Sequence, residues 1–325
     1  MLMPNNLIAK SLEYINQSDQ GLVEIKKLQQ AQEVISSIYR QQKGTSFLTT
    51  NEQVKAYFIA RMPATFASIY QCLSELPFEN PPQTLLDLGA GPGTATLAAI
   101  EKWSSLKEST MVESHKLMFE FNQKLFSFLN LSTSINHLQA DLTKITFRKS
   151  FDLVVLGYVL GELQNEEQLK VVENAWNVTS RFLLIVLPGT PFDYDIQMKT
   201  RDFLISKGGF VLAPCPHQKE CPLKRTKDWC HFSVRLNRTK VHQKIKQATL
   251  AYEDEKYSYL LFSKEPVEHL SKRIIKKPIQ RAGHVIMDLC TLEGIKREII
   301  SRKDKASYKK ALKTDWGEIW SDTDN

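Results

Sequence analysis

The sequence predicts an α/β protein with a doubly wound parallel sheet, and two observations support this fold. From Thr84 onward, short apolar runs alternate with stretches of helical periodicity such as ATLAAIEKW and HKLMFEFNQKLFSFL. The short runs are too apolar to present a wet face, which is typical of strands that are covered by helices on both sides. The five predicted strands are, in chain order, TLLDLGAG, STMVES, INHLQADL, FDLVVLGYVLGEL and FLLIVLPG.

Length and composition exclude several other classes of protein. The chain has 325 residues, of which 42% are hydrophobic, 10% aromatic and 24% charged, as in soluble globular proteins. No run of about 18 apolar residues occurs, which excludes a transmembrane helix. Five cysteines are too few for a disulfide scaffold of this length. Since neither a signal peptide nor a transit peptide is evident, we expect a cytoplasmic protein without membrane contact.

The first 80 residues predict helices. Apolar residues recur at helical spacing from Gly21 to Arg40, and a second helical stretch runs from Asn51 to Leu76. Pro63 predicts an interior break or a helix start in the second stretch. A proline-rich segment at 77–82 then marks a boundary.

Positive charge is concentrated in the C-terminal part of the chain. Residues 1–200 carry a net charge of −3 and residues 201–325 a net charge of +10, within a total of +7. This asymmetry favours docking on a polyanion such as a nucleic acid, and a solvated basic face is the alternative. The candidate phosphate contacts are Lys224, Arg225, Lys276, Lys277 and Arg281.

A glycine-rich turn, Asp87-Leu88-Gly89-Ala90-Gly91-Pro92-Gly93-Thr94, follows the first predicted strand and precedes a helix. Its Gly-x-Gly-x-Gly spacing is tighter than that of dinucleotide sites, and glycine lets the backbone approach a ligand closely. Glu113 and Asp141 end the next two strands. Carboxylates at these places can accept hydrogen bonds from ribose hydroxyls and from an adenine amino group.

This order of residues resembles the S-adenosylmethionine site of the class I methyltransferases. The resemblance implies a class I methyltransferase (Rossmann-like) core. It further implies that the cofactor-binding residues are Asp87, Gly89, Gly91, Gly93, Thr94, Glu113 and Asp141. The cofactor has no pyrophosphate, so a helix N-terminus aimed at phosphate is not required. A tight turn without a ligand and an NAD site are the alternatives.

No catalytic residue can be assigned from the sequence. Amino methyltransferases often carry Asn/Asp-Pro-Pro-Tyr/Phe after the fourth strand, whereas residues 156–163 here read LGYVLGEL. Tyr158 and Glu162 are candidates for lining a pocket, and packing or solvent roles are the alternative for both.

Three cysteines are clustered in a Lys-rich segment, and a fourth follows after a gap of 59 residues. They are Cys215, Cys221, Cys230 and Cys290. Four thiolates suit tetrahedral zinc or a [4Fe–4S] cluster, and the C-x5-C-x8-C spacing is loose for zinc and comfortable for the larger cluster. His217 or His231 could replace Cys290 as a ligand, and unliganded thiols are a further alternative.

Several segments together resemble one family, over roughly residues 35 to 320. They are AYFIARMPATF, DLGAGPGT, PGTP, CPHQKECPL with DWCHF, YEDEKYSYL and GHVIMDLCTLEG. This family is the methyltransferase-like family associated with assembly of the small ribosomal subunit, in mitochondria and in bacteria. RMPAT and CPH-x3-CPL are its specific motifs. Leu187 departs from the acidic residue that many members have before PGTP.

The resemblance implies cofactors and partners. The four clustered cysteines would hold [4Fe–4S], with zinc as the alternative, and the partners would be small-subunit rRNA and assembling ribosomal proteins. Mitochondrial relatives are thought to bind S-adenosylmethionine without necessarily methylating, which agrees with the missing catalytic motif. A monomer is favoured, and the absence of an evident transit peptide favours a bacterial cytoplasmic member.

With these assignments the chain divides into four parts. They are an N-terminal helical extension (1–80), an S-adenosylmethionine-binding core (81–207), a cysteine-rich iron–sulfur region with the remaining core strands (208–295) and a basic C-terminal tail (296–325). The favoured function is an RNA-docking assembly factor. The alternatives are an active rRNA methyltransferase and a zinc-stabilised methyltransferase that acts on a protein or a small molecule.

Overall fold

The structure, a computed structural model, describes residues 6–18, 22–39, 48–268 and 272–321. These residues fall into two compact units, Met1–Val186 with Val234–Glu255, and Leu187–Ser233 with Lys256–Asn325. Gly21 and Arg40, the predicted limits of the first helical stretch, lie outside the described residues. Within the described ranges, no helix is both long enough and apolar enough to cross a membrane.

Helices and strands alternate through the middle of the chain, whereas strands dominate its C-terminal third. The described helices are α1 (Asn6–Ser18), α2 (Leu22–Tyr39), α3 (Asn51–Leu73), α4 (Thr94–Lys102), α5 (Lys116–Leu129), α6 (Asn165–Asn177), α7 (Pro191–Ser206), α8 (Lys240–Lys246) and α9 (Lys305–Ala311). The described strands are β1 (Thr84–Leu88), β2 (Glu108–Glu113), β3 (Ser134–Gln139), β4 (Phe151–Gly157), β5 (Thr179–Pro188), β6 (Phe210–Ala213), β7 (Phe232–Asn237), β8 (Tyr252–Ser263), β9 (Lys272–Ile274), β10 (Ile279–Arg281), β11 (His284–Thr291), β12 (Gly294–Ser301) and β13 (Ile319–Trp320).

Helix α3 of the first unit is buried along most of its length. It begins at a capping box, in which the Thr50 side chain accepts a hydrogen bond from the Gln53 amide while the Gln53 side chain accepts one from the Thr50 amide. The predicted break at Pro63 is wrong, because α3 continues through this residue. Burial of the residues on both sides of Pro63 offsets the cost of proline inside a helix, which is about 3 kcal/mol.

The first unit contains a parallel sheet with the strand order β3-β2-β1-β4-β5. Strands β1, β4 and β5 are buried almost throughout, whereas the edge strand β3 is largely exposed. The predicted doubly wound, class I methyltransferase fold is therefore confirmed. The strand order reverses between β1 and β4, and in open α/β sheets this is the place where ligands bind.

The second unit is mainly antiparallel. Strand β6 pairs with the C-terminal half of β8, from Phe210 opposite Ser263 to Ala213 opposite Leu261. In a separate five-stranded sheet, β12 pairs along the whole of β11, while β10 and β9 pair with the two ends of β11, and β13 pairs with β9. Alternate residues of β11 form part of a buried apolar cluster.

The segment predicted as a charged C-terminal tail contains β12, α9 and β13. Sequence periodicity misses β12 because half of its eight residues are exposed and three consecutive ones are charged. Those charges pair with neighbouring side chains: Arg297 with Asp288 at 2.7 Å, and Glu298 with Lys272 at 2.6 Å. The division of the chain into four parts stays a prediction.

Candidate functional site

All three glycines of the glycine-rich turn have a positive φ, a conformation that favours glycine. A Cβ atom on Gly89 would lie 2.6 Å from Val159, and one on Gly93 would lie 2.3 Å from Phe126. A Cβ on Gly91 would meet no protein atom within 4 Å. Two of the glycines are therefore required by packing, whereas Gly91 leaves open space beside its backbone.

That space is part of a cavity of about 420 Å³ at the ends of β1, β2 and β4. Of the predicted cofactor residues, four line the cavity: Gly89, Gly91, Glu113 and Asp141. The volume is in the range typical of small-molecule sites. Tyr158 and Glu162 also line it, as the sequence suggested, together with Tyr57 and His115, which the sequence gave no signal to single out.

The two lining carboxylates have different environments. Glu113 is buried, and its carboxylate accepts hydrogen bonds from the Gly91 amide at 2.8 Å and the His115 amide at 2.7 Å. Burial raises the pKa of Glu113, although these two hydrogen bonds oppose the shift. Asp141 is exposed, and hydrogen bonds from the amide and hydroxyl of Thr143 lower its pKa. A carboxylate that accepts two hydrogen bonds retains lone pairs for a ligand.

Asp87, Gly93 and Thr94 are not among the residues that line the cavity. Asp87 lies beneath the turn, where one carboxylate oxygen accepts hydrogen bonds from the amide and the hydroxyl of Thr96, at 3.1 and 3.0 Å. Burial raises the pKa of Asp87 to about 7. Gly93 caps the N-terminus of α4, and Thr94 is the first residue of that helix. The assignment of these three residues to cofactor binding stays a prediction.

Tyr158 follows β4 with a φ of 61°, a strained conformation for a residue with a side chain. Its hydroxyl lies 2.8 Å from the Ser68 hydroxyl and donates to Glu255 at 3.2 Å. Glu255 also forms an ion pair with Arg61, whose guanidinium lies 5.9 Å from the centre of the Tyr158 ring. Burial raises the pKa of Tyr158 well above its ordinary value. Tyr158 therefore keeps its proton at neutral pH and is unsuited to act as a general base.

In the second unit, all four clustered cysteines line one narrow cavity. Three of them come from the segment between β6 and β7, and Cys290 comes from β11. All four are free thiols. The same cavity is lined by His217, whose Nε2 lies 3.6 Å from the Cys290 sulfur. His231, the other candidate ligand, instead stacks on Trp229, with ring centroids 5.1 Å apart.

Burial in the cavity raises the pKa of three of the thiols, those of Cys215, Cys230 and Cys290. Burial, followed by the proximity of the other cysteines, raises the pKa of Cys290 to about 12 and that of Cys230 well above its usual value. Arg201 and Arg273 act in the opposite direction, and Arg273 also lines the cavity. The Tyr194 hydroxyl lies 3.3 Å from the Cys221 sulfur.

The donor set matches a four-thiolate centre in number and type. Among the described residues, no group of three or more His, Cys, Asp or Glu side chains is arranged to hold a metal ion. The free volume of the cavity, about 20 Å³, is close to that of one water molecule.

The candidate phosphate contacts separate into two groups. Lys224 pairs with Asp202, Arg225 with Glu220 and Lys276 with Asp228. Lys277 and Arg281 are exposed, and neither forms an ion pair with any residue that the structure describes. Of the five candidates, Lys277 and Arg281 are therefore the two whose charge no carboxylate of the described residues offsets.

Comparison with known proteins matches this chain to one family and to two proteins that are named as ribosome assembly proteins. A family model described as "Mitochondrial small ribosomal subunit Rsm22" matches residues 51–321. The human protein "Ribosome assembly protein METTL17, mitochondrial" is 29% identical over 291 residues, which are 81% of this chain and 61% of that protein. "Ribosome assembly protein RSM22, mitochondrial" from Saccharomyces cerevisiae is 22% identical over 423 residues, covering 84% of this chain and 67% of that protein.

A solved O-methyltransferase family protein from Burkholderia thailandensis matches 76% of this chain and 72% of its own chain, with 15% identity and a TM-score of 0.48. The chain spans 61% of the length of its human relative. The prediction of a bacterial cytoplasmic protein is contradicted, because both relatives are mitochondrial proteins by name.

Proposed function

This chain belongs to the Rsm22 family of mitochondrial small ribosomal subunit proteins, and from that premise we propose that it is a ribosome assembly factor. In this proposal it docks on small-subunit rRNA, binds S-adenosylmethionine in the cavity of the glycine-rich turn and holds a [4Fe–4S] cluster on four cysteines. The observation that carries the proposal is that one chain of this family contains both cavities, one at the glycine-rich turn and one lined by four cysteines.

The cavity of the glycine-rich turn supports S-adenosylmethionine as its ligand. Glu113 offers a carboxylate to the ribose hydroxyls and Asp141 one to the adenine amino group, while the open space at Gly91 accepts the amino-acid end. When bound, this cofactor supplies an activated methyl group. The chain's own residues bind and orient the nucleoside. The protonated Tyr158 fixes the turn after β4 through the hydrogen bonds of its hydroxyl with Ser68 and Glu255.

The spacing of the cysteines along the sequence supports an iron–sulfur cluster more than zinc. In the structure, four free thiols line one cavity. Cys215, Cys221, Cys230 and Cys290 would be the ligands, and the cluster would order the long segment between β6 and β7. The cluster has a structural role in this proposal, and no step of a reaction depends on it.

The partner follows from charge. Residues 201–325 carry a net charge of +10, and Lys277 and Arg281 present cations with no ion-pair partner in the described structure. Such a surface binds phosphate through counterion release, so its affinity for RNA falls as salt rises. We assign small-subunit rRNA as the polyanion because the relatives are ribosome assembly proteins by name.

One experiment on the full chain tests the proposal. The protein, purified without oxygen, is incubated with labelled S-adenosylmethionine and isolated small ribosomal subunits, and cofactor binding, rRNA binding and methyl transfer are measured separately. We expect both binding reactions without detectable methylation of rRNA. Failure to bind either ligand contradicts the proposal. Stoichiometric methylation of rRNA would replace it with the active rRNA methyltransferase.

A further inference from the structure

A buried arginine, Arg201 of α7, lies beside the four-cysteine cavity. Its side chain is fully buried, and one guanidinium nitrogen donates to the backbone carbonyls of His217 and Lys219, at 2.9 and 2.8 Å. Both carbonyls belong to the segment between Cys215 and Cys221. The Nε atom of Arg201 is buried and has no hydrogen-bond partner among the described residues.

The charge of Arg201 is poorly compensated by carboxylates. A guanidinium stays protonated in proteins, and burying it without an opposite charge is unfavourable. The paired carboxylate is that of Asp202, 3.7 Å from Arg201 and 43% exposed. Asp202 also pairs with Lys224 at 2.6 Å. A solvated carboxylate that a second cation already shares offsets little of the cost.

The cysteines provide the missing negative charge when they bind a metal centre. Arg201 donates to the carbonyl oxygen of His217, two residues after Cys215, and interacts electrostatically with the Cys215 side chain. Metal ligation removes the protons of all four thiols, and four thiolates carry more negative charge than an iron–sulfur core carries positive charge. The ligated cavity is therefore anionic, and reduction of the centre by one electron makes it more so.

We propose that Arg201 is the buried counter-ion of an anionic thiolate centre formed by the four clustered cysteines. This role rests on the cluster in the proposed function. Arg201 is a positioning residue, since it acts on the centre through charge and through the ligand-bearing segment. Its charge stabilises the reduced centre more than the oxidised one, so losing the charge lowers the reduction potential.

The test compares the wild-type chain with Arg201→Gln, which removes the charge, and Arg201→Lys, which retains it. Arg225→Gln is the matched control, because the Arg225 side chain is 83% exposed in the same region of sequence. Iron and acid-labile sulfide per chain are measured after anaerobic purification. The one-electron potential is then titrated with an added chemical reductant and followed by electron paramagnetic resonance.

We expect Arg201→Gln to lower the equilibrium constant for reduction at least tenfold, which is about 59 mV for a one-electron couple. Arg201→Lys and Arg225→Gln should keep the wild-type potential. Loss of the cluster in Arg201→Gln, together with its retention in Arg201→Lys, also supports the proposal. A wild-type potential in Arg201→Gln, or equal losses in both Arg201 variants, overturns it. A wild-type chain without iron overturns the proposed cluster, and this role falls with it.

Discussion

The glycine-turn cavity and the four-cysteine cavity differ in how they are built. The first has about 420 Å³ of space, formed by strand ends and by backbone atoms of a turn. The second has about 20 Å³ and is formed by thiols on an irregular segment, beside buried arginine. The first cavity is formed by the packed ends of strands and does not need a ligand to keep its shape, whereas the second brings together thiols that a metal centre would stabilise. We therefore expect ligand removal to unfold the region of the cysteines and to leave the glycine-rich turn intact.

The largest effect is expected from replacing a cluster ligand. Cys290→Ser should release iron and lower the melting temperature by roughly 5–10 °C, since ligand binding and folding are coupled in metal sites. Iron analysis and calorimetry measure the two effects. The control is Cys72→Ala, which removes a buried thiol of α3 outside the cavity and should leave the iron content unchanged. Full iron content in Cys290→Ser would contradict the assignment of this ligand.

A second prediction concerns the carboxyl group beneath the glycine-rich turn. The folded-state pKa of Asp87, about 7, lies above its ordinary value of 3.8, so protonation favours the folded state. This stabilisation is complete below about pH 4 and disappears as the pH rises to about 7. It amounts to roughly 2–4 kcal/mol in the free energy of unfolding.

Asp87→Asn tests this account. Both hydrogen bonds from Thr96 reach one oxygen of Asp87, which an amide oxygen can replace. Denaturant unfolding between pH 4 and 8 should show a smaller loss of stability in the variant than in the wild type. If stability depends on pH in the same way in both proteins, the buried Asp87 carboxyl is not the source of that dependence.

A third prediction separates the conformational role of Gly91 from its role in binding. Gly91→Ala should weaken S-adenosylmethionine binding about tenfold, because its Cβ would occupy the open space beside the turn. Gly208→Ala is the matched control, since Gly208 also has a positive φ and open space around it but lies outside the cavity. Both variants should lose a similar stability, roughly 1 kcal/mol. Equal cofactor affinity in the two variants would remove Gly91 from the site.

The smallest effect is expected at the basic surface. Reversing the charges of Lys277 and Arg281 to Glu should weaken rRNA binding and reduce the slope of log affinity against log salt by roughly 1–2. The comparison is the same change at Lys224 and Arg225, whose charges Asp202 and Glu220 already offset. The salt dependence of binding distinguishes the pairs, and equal slopes in both double variants would exclude Lys277 and Arg281 as the main contacts.

Much of the first unit could be predicted because its signals are local. The apolar runs of β1, β2, β4 and β5 identified buried strands, and a glycine turn after β1 identified the edge of the sheet at which the cavity lies. The positions of Glu113 and Asp141 at strand ends were enough to bring them into one cavity. Asp87 is buried beneath the turn, a placement that its sequence position did not indicate, and its assignment to the cofactor site stays a prediction.

Less of the second unit could be predicted because its organisation depends on contacts between residues far apart in the chain. The cysteine spacing indicated a shared site, yet nothing near Arg201 in the sequence indicates that its side chain is buried. Charged residues that pair across β11 and β12 conceal the strand period. The cellular compartment likewise could not be predicted from the N-terminal residues.

Metal analysis of the wild-type chain tests the central claim most directly. The protein is purified without oxygen, and iron, zinc and acid-labile sulfide are measured per chain. The [4Fe–4S] assignment predicts about four iron and four sulfide per chain, with little zinc. One zinc per chain without sulfide, or no metal at all, would contradict it.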